Sequence, residues 1–234
     1  MSEPNAQVSP QSHLIELTMD AFRVAHRACA AAGEGLATSS KALFSEVRDC
    51  ERELDSLDRD IDDLVTTTIT RLSEEEARTL LACMKIGISL ERIGDLFLSF
   101  VNRAEGIAAH LDHDDLRDLT VMTTQLERML ADIETAFRTR ALDKAVSVLR
   151  ADTEIDRLRN VITFRHLEPA EGQRRFDSFH VLFMAQELER AGDHVKNMSE
   201  EVCHLVSGHT VRHVLRAYDR PVEQLFLDRI KNTQ

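Results

Sequence analysis

The strongest constraint on the fold is an internal duplication centred on one charged segment that contains a glycine. Residues Glu91 to Asp95, with the sequence E-R-I-G-D, return 98 positions later as E-R-A-G-D at Glu189 to Asp193. The apolar flanks keep the same register, since 81, 84, 93, 100 and 104 are matched by apolar residues at 179, 182, 191, 198 and 202. A shared register of this kind indicates two copies of one structural unit.

A second match, one segment earlier, supports the same conclusion. The pattern of acidic and apolar residues that begins at Glu51 and ends at Ile61 returns 101 positions later, from Asp152 to Ile162. Two matched segments in each half are hard to explain by chance. We therefore interpret the chain as a tandem duplication.

The composition favours helices throughout both copies. Glycine and proline are scarce, at 8 and 4 residues, and tryptophan is absent, which is unusual for sheet proteins rich in turns. Apolar periodicity predicts six helices near 12–36, 40–70, 74–108, 114–139, 142–166 and 173–207. The predicted fold is all-α, with two tandem three-helix-bundle repeats at 12–110 and 114–208, a flexible N-terminal segment 1–11 and a C-terminal tail 209–234.

Local signals mark several of the predicted helix ends. Gly33 and Gly35, followed by two serines, predict the end of the first helix. Ser73 with Glu76 has the spacing of a capping box and predicts the start of the third helix.

Charge and cysteine usage narrow the function classes. A net charge of −12 argues against nucleic acid as a partner, because phosphate backbones are bound by clustered Lys and Arg. The four cysteines form no C-x-x-C pair, and this indicates buried structural thiols in a reducing compartment. The sequence shows neither a secretory signal nor an apolar run long enough to cross a bilayer, so we expect a soluble, cytoplasmic protein.

Acidic side chains form a stripe on the last helix of each repeat. Residues four apart lie close together on a helical surface, so Glu189, Asp193 and Asn197 share one face, roughly opposite the apolar face. The preceding helices carry acidic pairs with the same spacing. Convergence of these stripes would suit Mg, Mn or Fe rather than tetrahedral Zn, with these candidate ligands: Glu51, Asp55, Glu91, Asp95, Asp152, Asp156, Glu189, Asp193 and Asn197.

Two alternatives to a metal-binding protein remain open at this point. The acidic stripes are also what an ordinary solvated helix face looks like in a protein with 41 acidic residues, which would make the chain a metal-free helical scaffold. A ferritin-like di-iron enzyme would need two E-x-x-H motifs on different helices, and only Glu201 with His204 matches.

Gly94 and Gly192 are best explained by close helix contacts. No motif of a known enzyme class is present, so we predict that the chain is not an enzyme.

Around these motifs the chain resembles the PhoU family, regulators of phosphate uptake built from two three-helix repeats. The resemblance is sharpest at 188–202 and at Arg212-His213-Val214, and it extends more weakly over about 12–214. The acidic motif of that family, E/D-x-x-x-D, corresponds here to the four acidic pairs 51/55, 91/95, 152/156 and 189/193. The resemblance implies surface metal clusters, a dimer, and negative regulation through the ATPase of a phosphate ABC transporter and a phosphate-sensing histidine kinase. It also implies membrane association through those partners alone.

Two features depart from the family pattern. Ser99 stands where the first repeat would carry the asparagine of the motif, so the first metal site is the weaker copy. The family segment before the third helix is not recognisable over 73–85, as expected for a divergent paralogue.

The tail from Leu215 carries Val222, Leu225, Phe226 and Ile230 after a proline, which is the pattern of a short amphipathic docking helix or of a mobile end.

Overall fold

The computed structural model describes residues 9–71, 73–167 and 175–208. Six long helices account for nearly all of these residues, as the apolar periodicity predicts, and their bounds lie within two residues of the predicted ones. Two short 3-10 turns, Ile69–Arg71 and Ala108–His110, follow the second and third helices. The helices are α1 (Pro10–Thr38), α2 (Lys41–Thr68), α3 (Glu74–Ile107), α4 (His113–Thr139), α5 (Leu142–Leu167) and α6 (Arg175–Ser207).

The helix starts follow the capping chemistry of the sequence. The side chain of Ser40 accepts a hydrogen bond from the amide of Leu43 at the start of α2. At α3 the predicted capping box is present, with Ser73 and Glu76 each capping the other's backbone amide. These bonds satisfy amides that the first helical turn leaves without partners.

The first helix ends two residues beyond its predicted end at 36, at the serines rather than at the glycines. The helix α1 continues through both of them to Thr38, and Ser39 closes it with a φ of 53°. Gly33 instead allows a close approach between repeats, because a Cβ there would lie 2.8 Å from Oγ1 of Thr123 on α4. The glycine is therefore a packing residue within a helix.

Each repeat is a three-helix bundle, and the two bundles share one apolar core. Helices α1, α2 and α3 pack on one another, as do α4, α5 and α6, while α3 packs along α6 and α1 against α4. Phe97 and Phe100 of α3 and Met198 of α6 are at most 1% exposed in this core. Burial of such side chains contributes roughly 1.5 to 3 kcal/mol each to folding.

The helices α3 and α6 run antiparallel where the repeats meet. Lys85 near the start of α3 binds Glu201 near the end of α6, with Nζ and Oε2 2.8 Å apart. Arg103 near the end of α3 binds Glu187, nearer the start of α6, with Nε and Oε1 2.9 Å apart. The two helices that carry the E-R-x-G-D motifs therefore pack along each other where the repeats meet.

The four cysteines are free and buried, as the sequence analysis predicts for structural thiols. Burial raises the pKa of the Cys203 thiol to about 12, and burial also raises the pKa of Cys29. Such thiols carry almost no thiolate at neutral pH and are chemically quiet.

A buried polar network between α4 and α5 was not foreseen from the sequence. Asp115 receives a hydrogen bond from Arg165 at 2.5 Å and lies 3.0 Å from Nε2 of His166. The other terminal nitrogen of the same arginine binds Asp118 at 2.5 Å. Burial alone would raise the pKa of Asp115, but the bonds from His166 and Arg165 outweigh burial and lower it.

Candidate functional site

The candidate site lies along the seam between α2 and α3, where Gly94 brings the two helices into close contact. A Cβ at Gly94 would lie 2.7 Å from Cδ1 of Leu54 and 3.8 Å from the Cα of Glu51. The absence of a side chain therefore places the backbone of the E-R-x-G-D motif against the acidic pair of α2. This confirms the packing role predicted for Gly94.

Carboxylates from both helices converge along this contact. Glu51 and Asp55 of α2 and Glu91 and Asp95 of α3 form what we call the acidic seam of the first repeat. Burial and the nearby charges of Asp55 and Asp95 raise the pKa of Glu51. Burial and the charge of Asp95 raise the pKa of Glu91, with smaller contributions from Asp58 and Asp55. Like charges on two different helices thus lie close enough to disfavour ionisation, as the predicted convergence of the stripes requires.

Asp58 belongs to the same acidic seam, although the sequence analysis did not select it. Its Oδ1 lies 3.6 Å from the position that a Cβ would occupy on Gly87 of α3. Burial and the charge of Asp62 raise its pKa. The signal was available, because 51, 55, 58 and 62 follow the spacing of one helical face.

A guanidinium lies within the acidic seam. Nε of Arg92 is 3.2 Å from Oε2 of Glu91, and Nη1 is 3.0 Å from Oδ2 of Asp95. Arg92 itself is 56% exposed in its side chain. The second residue of the E-R-x-G-D motif thus partly neutralises the first and the last.

The side chains of the acidic stripes are less exposed than their position opposite the apolar faces predicts. The side chains of Glu91 and Glu189 are only 16% and 15% exposed, because α2 and α5 cover them. Asp95 is 41% exposed, and Asp193 is exposed. Each stripe therefore begins in a helix seam and ends at the surface.

In the second repeat, the glutamate that corresponds to Glu91 has different partners. Oε1 of Glu189 lies 3.7 Å from Nη2 of Arg159 on α5, and its Oε2 accepts a hydrogen bond from Gln186 at 2.6 Å. Asp156 and Asn197 are half-buried. Asp152 lies in α5, but its side chain falls outside the described part of the chain.

Ser99, which replaces the asparagine of the first repeat, faces the other repeat. Its hydroxyl donates a hydrogen bond to Glu187 on α6. The same carboxylate oxygen binds Arg103. The serine that stands in place of the asparagine therefore stabilises the contact between the repeats.

The donors in the described part of the chain are suited to hard cations, but they are not assembled into a coordination shell. Carboxylate oxygens from two helices are the ligands that Mg and Mn prefer. Across 9–71, 73–167 and 175–208, no group of three or more His, Cys, Asp or Glu side chains is arranged to hold a metal ion. Metal binding at the nine candidate ligands therefore stays a prediction.

The single E-x-x-H motif does not form part of a buried centre. Glu201 is bound to Lys85 on α3, and together with His204 it lines a surface crevice between α3 and α6. A di-iron site would place such a pair inside the bundle, facing ligands of other helices.

Comparison with known proteins identifies the repeats. A family profile described as "PhoU domain" matches twice, over residues 18–104 and 119–202. The chain belongs to the PhoU family. Both matches include an E-R-x-G-D motif and the acidic pair of the preceding helix, so the duplication seen in the sequence is a duplication of the PhoU domain.

Curated PhoU relatives match most of the chain. A protein of Pseudomonas putida is 29% identical over 187 residues, which is 76% of this chain and 72% of the relative. One from Pseudomonas aeruginosa is 27% identical and is covered to 76%. Both are named "Phosphate-specific transport system accessory protein PhoU homolog". These names describe accessory proteins, in agreement with the prediction that the chain is not an enzyme.

Solved PhoU structures share the fold. The crystal structure of PhoU from Pseudomonas aeruginosa superposes with a TM-score of 0.79 at 21% identity, covering 86% of this chain and 98% of that one. The phosphate transport system regulatory protein PhoU from Streptococcus pneumoniae gives a TM-score of 0.77 at 19% identity, with 86% and 97% covered. In the described part of this chain, no helix is long and apolar enough to span a membrane.

Proposed function

We propose that this protein is a negative regulator of phosphate uptake and of phosphate-starvation signalling. The single observation that supports this most is the PhoU domain match over both repeats, together with relatives named as accessory proteins of phosphate-specific transport. It acts as a cytoplasmic adaptor between the ATPase of a phosphate ABC transporter and a phosphate-sensing histidine kinase. It works as a homodimer and alters transcription through the kinase.

The regulatory role is tested with a reporter controlled by phosphate starvation. Deleting the gene is expected to raise reporter output at high phosphate, and restoring the gene is expected to lower it again. Unchanged output after deletion would contradict the proposal and would favour a plain helical scaffold.

The adaptor binds Mg, Mn or Fe at its acidic seams, and the metal orders the carboxylates for contact with partners. Burial and, after it, repulsion from neighbouring aspartates raise the pKa values of Glu51 and Glu91, and this supports the proposal because a bound cation would offset both effects. Arg92 partly fills that role by pairing with Glu91 and Asp95.

Metal binding is tested independently of the regulatory role. Elemental analysis and metal-dependent melting would compare the parent with two double variants, Glu51→Ala with Glu91→Ala, and Glu189→Ala with Asp193→Ala. A third double variant, Glu34→Ala with Glu127→Ala, removes the same charge from exposed positions on α1 and α4. The parent and this control should be stabilised by metal, and each seam variant should lose part of that shift. No shift in the parent would contradict metal binding.

A further inference from the structure

Three phenylalanines form an exposed ridge at the start of α6. Phe176, Phe179 and Phe183 are 71%, 60% and 39% exposed. Their spacing of three and four residues places them on one face, and the ring centroids of Phe179 and Phe183 are 4.8 Å apart. Burying a phenylalanine is worth roughly 1.5 to 3 kcal/mol, so a ridge of this kind marks an interaction surface.

Cationic side chains border the aromatic ridge. The guanidinium of Arg103 on α3 lies over the ring of Phe183, 4.5 Å from its centroid. Its charge is largely balanced by Glu187. Arg190, seven residues beyond Phe183 and thus on the same face of α6, is exposed. The ridge therefore suits an apolar helix that carries acidic residues at its edge.

We propose that the ridge is the docking site of the segment 222–230 of this same chain. That segment lies outside the described residues, so the proposal rests on its sequence. After Pro221, apolar residues at 222, 225, 226 and 230 have the spacing of one helical face. On a helix, Glu223 and Asp228 would border that apolar stripe, one on each side, and Arg229 would lie within it, where its apolar stem can pack while its charge reaches solvent.

The length of the tail is sufficient for docking within one chain. From Phe183 to the end of α6 at Ser207, the helix rises about 36 Å, at about 1.5 Å per residue. Residues 208–221 span up to about 46 Å when extended, at about 3.3 Å per residue. The segment can therefore return along α6 and lie antiparallel to it, with its apolar stripe over Phe183 and Phe179.

The charges of the two parts of the chain favour the same contact. Residues 209–234 contain five Lys and Arg and three Asp and Glu, in a chain whose net charge is −12. Four of these cations and only one of the acids lie outside 222–230, so the flanks of the segment are attracted to the acidic helical body at moderate salt, whereas Glu223 and Asp228 within the segment suit the arginines beside the ridge. A docked segment would occupy the ridge and compete with any other protein for it. This inference stands whether or not the proposed regulatory role is correct.

Disulfide trapping tests the contact in the full chain. The variant Phe179→Cys with Leu225→Cys would be mildly oxidised, and the products would be separated without reductant. The native thiols do not compete, because all four are buried. The control pairs Leu225→Cys with Arg59→Cys, an exposed position on α2. We expect a crosslink within one chain at least tenfold faster than in the control.

Two outcomes of the crosslinking experiment would overturn the proposal. A rate equal to that of the control would show that the segment does not lie on the ridge. A crosslink between two chains would assign the ridge to a second copy. A second measurement uses the variant Leu225→Ser with Phe226→Ser, which should bind several times more of a hydrophobic fluorescent dye than the parent. Equal dye binding would contradict coverage of the ridge.

Discussion

Arg103 on α3 and Glu187 on α6 form a charged pair across the contact between the two repeats, with Nε and Oε1 2.9 Å apart. The side chain of Glu187 is 8% exposed. Its second oxygen, Oε2, is buried and has no hydrogen-bond partner among the described residues. The carboxylate therefore depends on Arg103 and on the hydroxyl of Ser99 for its stabilisation.

Removing Arg103 should weaken the contact between the repeats. Arg103→Ala leaves a buried carboxylate without its cation, so we expect a loss of about 2 kcal/mol in the free energy of unfolding, measured with urea. Lys85→Ala removes the more exposed pair at the other end of the same contact and should cost less than about 1 kcal/mol. Equal losses in the two variants would contradict the special role of Arg103.

Gly94→Ala should destabilise the protein even though alanine is the better helix former. The added Cβ would lie 2.7 Å from Leu54, which is 1% exposed and has little room to move. We expect a net loss of about 1 to 2 kcal/mol in thermal or urea unfolding. Gly106→Ala, in the same helix with nothing within 4 Å of its Cβ, should gain up to about 0.5 kcal/mol. A gain in stability at both positions would show that α2 and α3 are not in close contact at Gly94.

Glu91→Gln should stabilise the protein at pH 7 by roughly 0.5 kcal/mol. The pKa of Glu91 in the folded protein lies above the ordinary value of 4.5, so the ionised carboxylate destabilises the fold at neutral pH. This penalty shrinks as the pH falls through the folded-state pKa and is gone below 4.5. The free energies of unfolding of Glu91→Gln and of the parent, measured with urea, should therefore differ at pH 7 and become equal below pH 4.5.

Glu76→Gln provides a control of opposite sign. The capping bonds from Ser73 lower the pKa of Glu76, so its ionised form stabilises the fold and the variant should be less stable at pH 7. If both substitutions were stabilising, the cause would be the reduced net negative charge of the protein and not the repulsion within the acidic seam.

Arg92→Gln should strengthen metal binding if the seam holds a cation. The guanidinium is within 3.2 Å of both carboxylates of the motif, so its removal takes away competing positive charge worth about 1 kcal/mol, or about fivefold in Kd. Calorimetric titration with Mn would measure the change. Arg23→Gln, which removes a guanidinium paired with Asp20 on α1, should leave the affinity unchanged.

Much of the fold was predictable because it depends on local chemistry. Apolar spacing located all six helices, the capping pair Ser73 and Glu76 marked the start of α3, and the repeated motif revealed two bundles. Local signals do not explain why Gly33 lies inside α1, where the tertiary contact with Thr123 outweighs the low helix propensity of glycine. The network around Asp115 and Arg165 was missed because its members lie 50 positions apart in the chain.

The sequence by itself determined the two-repeat helical architecture and which residues make up the acidic stripes, because helical periodicity assigns each residue an angle on its own helix. It carried no information on which stripe a neighbouring helix would cover. The tertiary structure decided that Glu91 and Glu189 lie in seams, that Arg92 binds both ends of its own motif, and that Ser99 contacts the opposite repeat. Those relations depend on how closely helices approach and cross, and packing of the whole core sets that geometry.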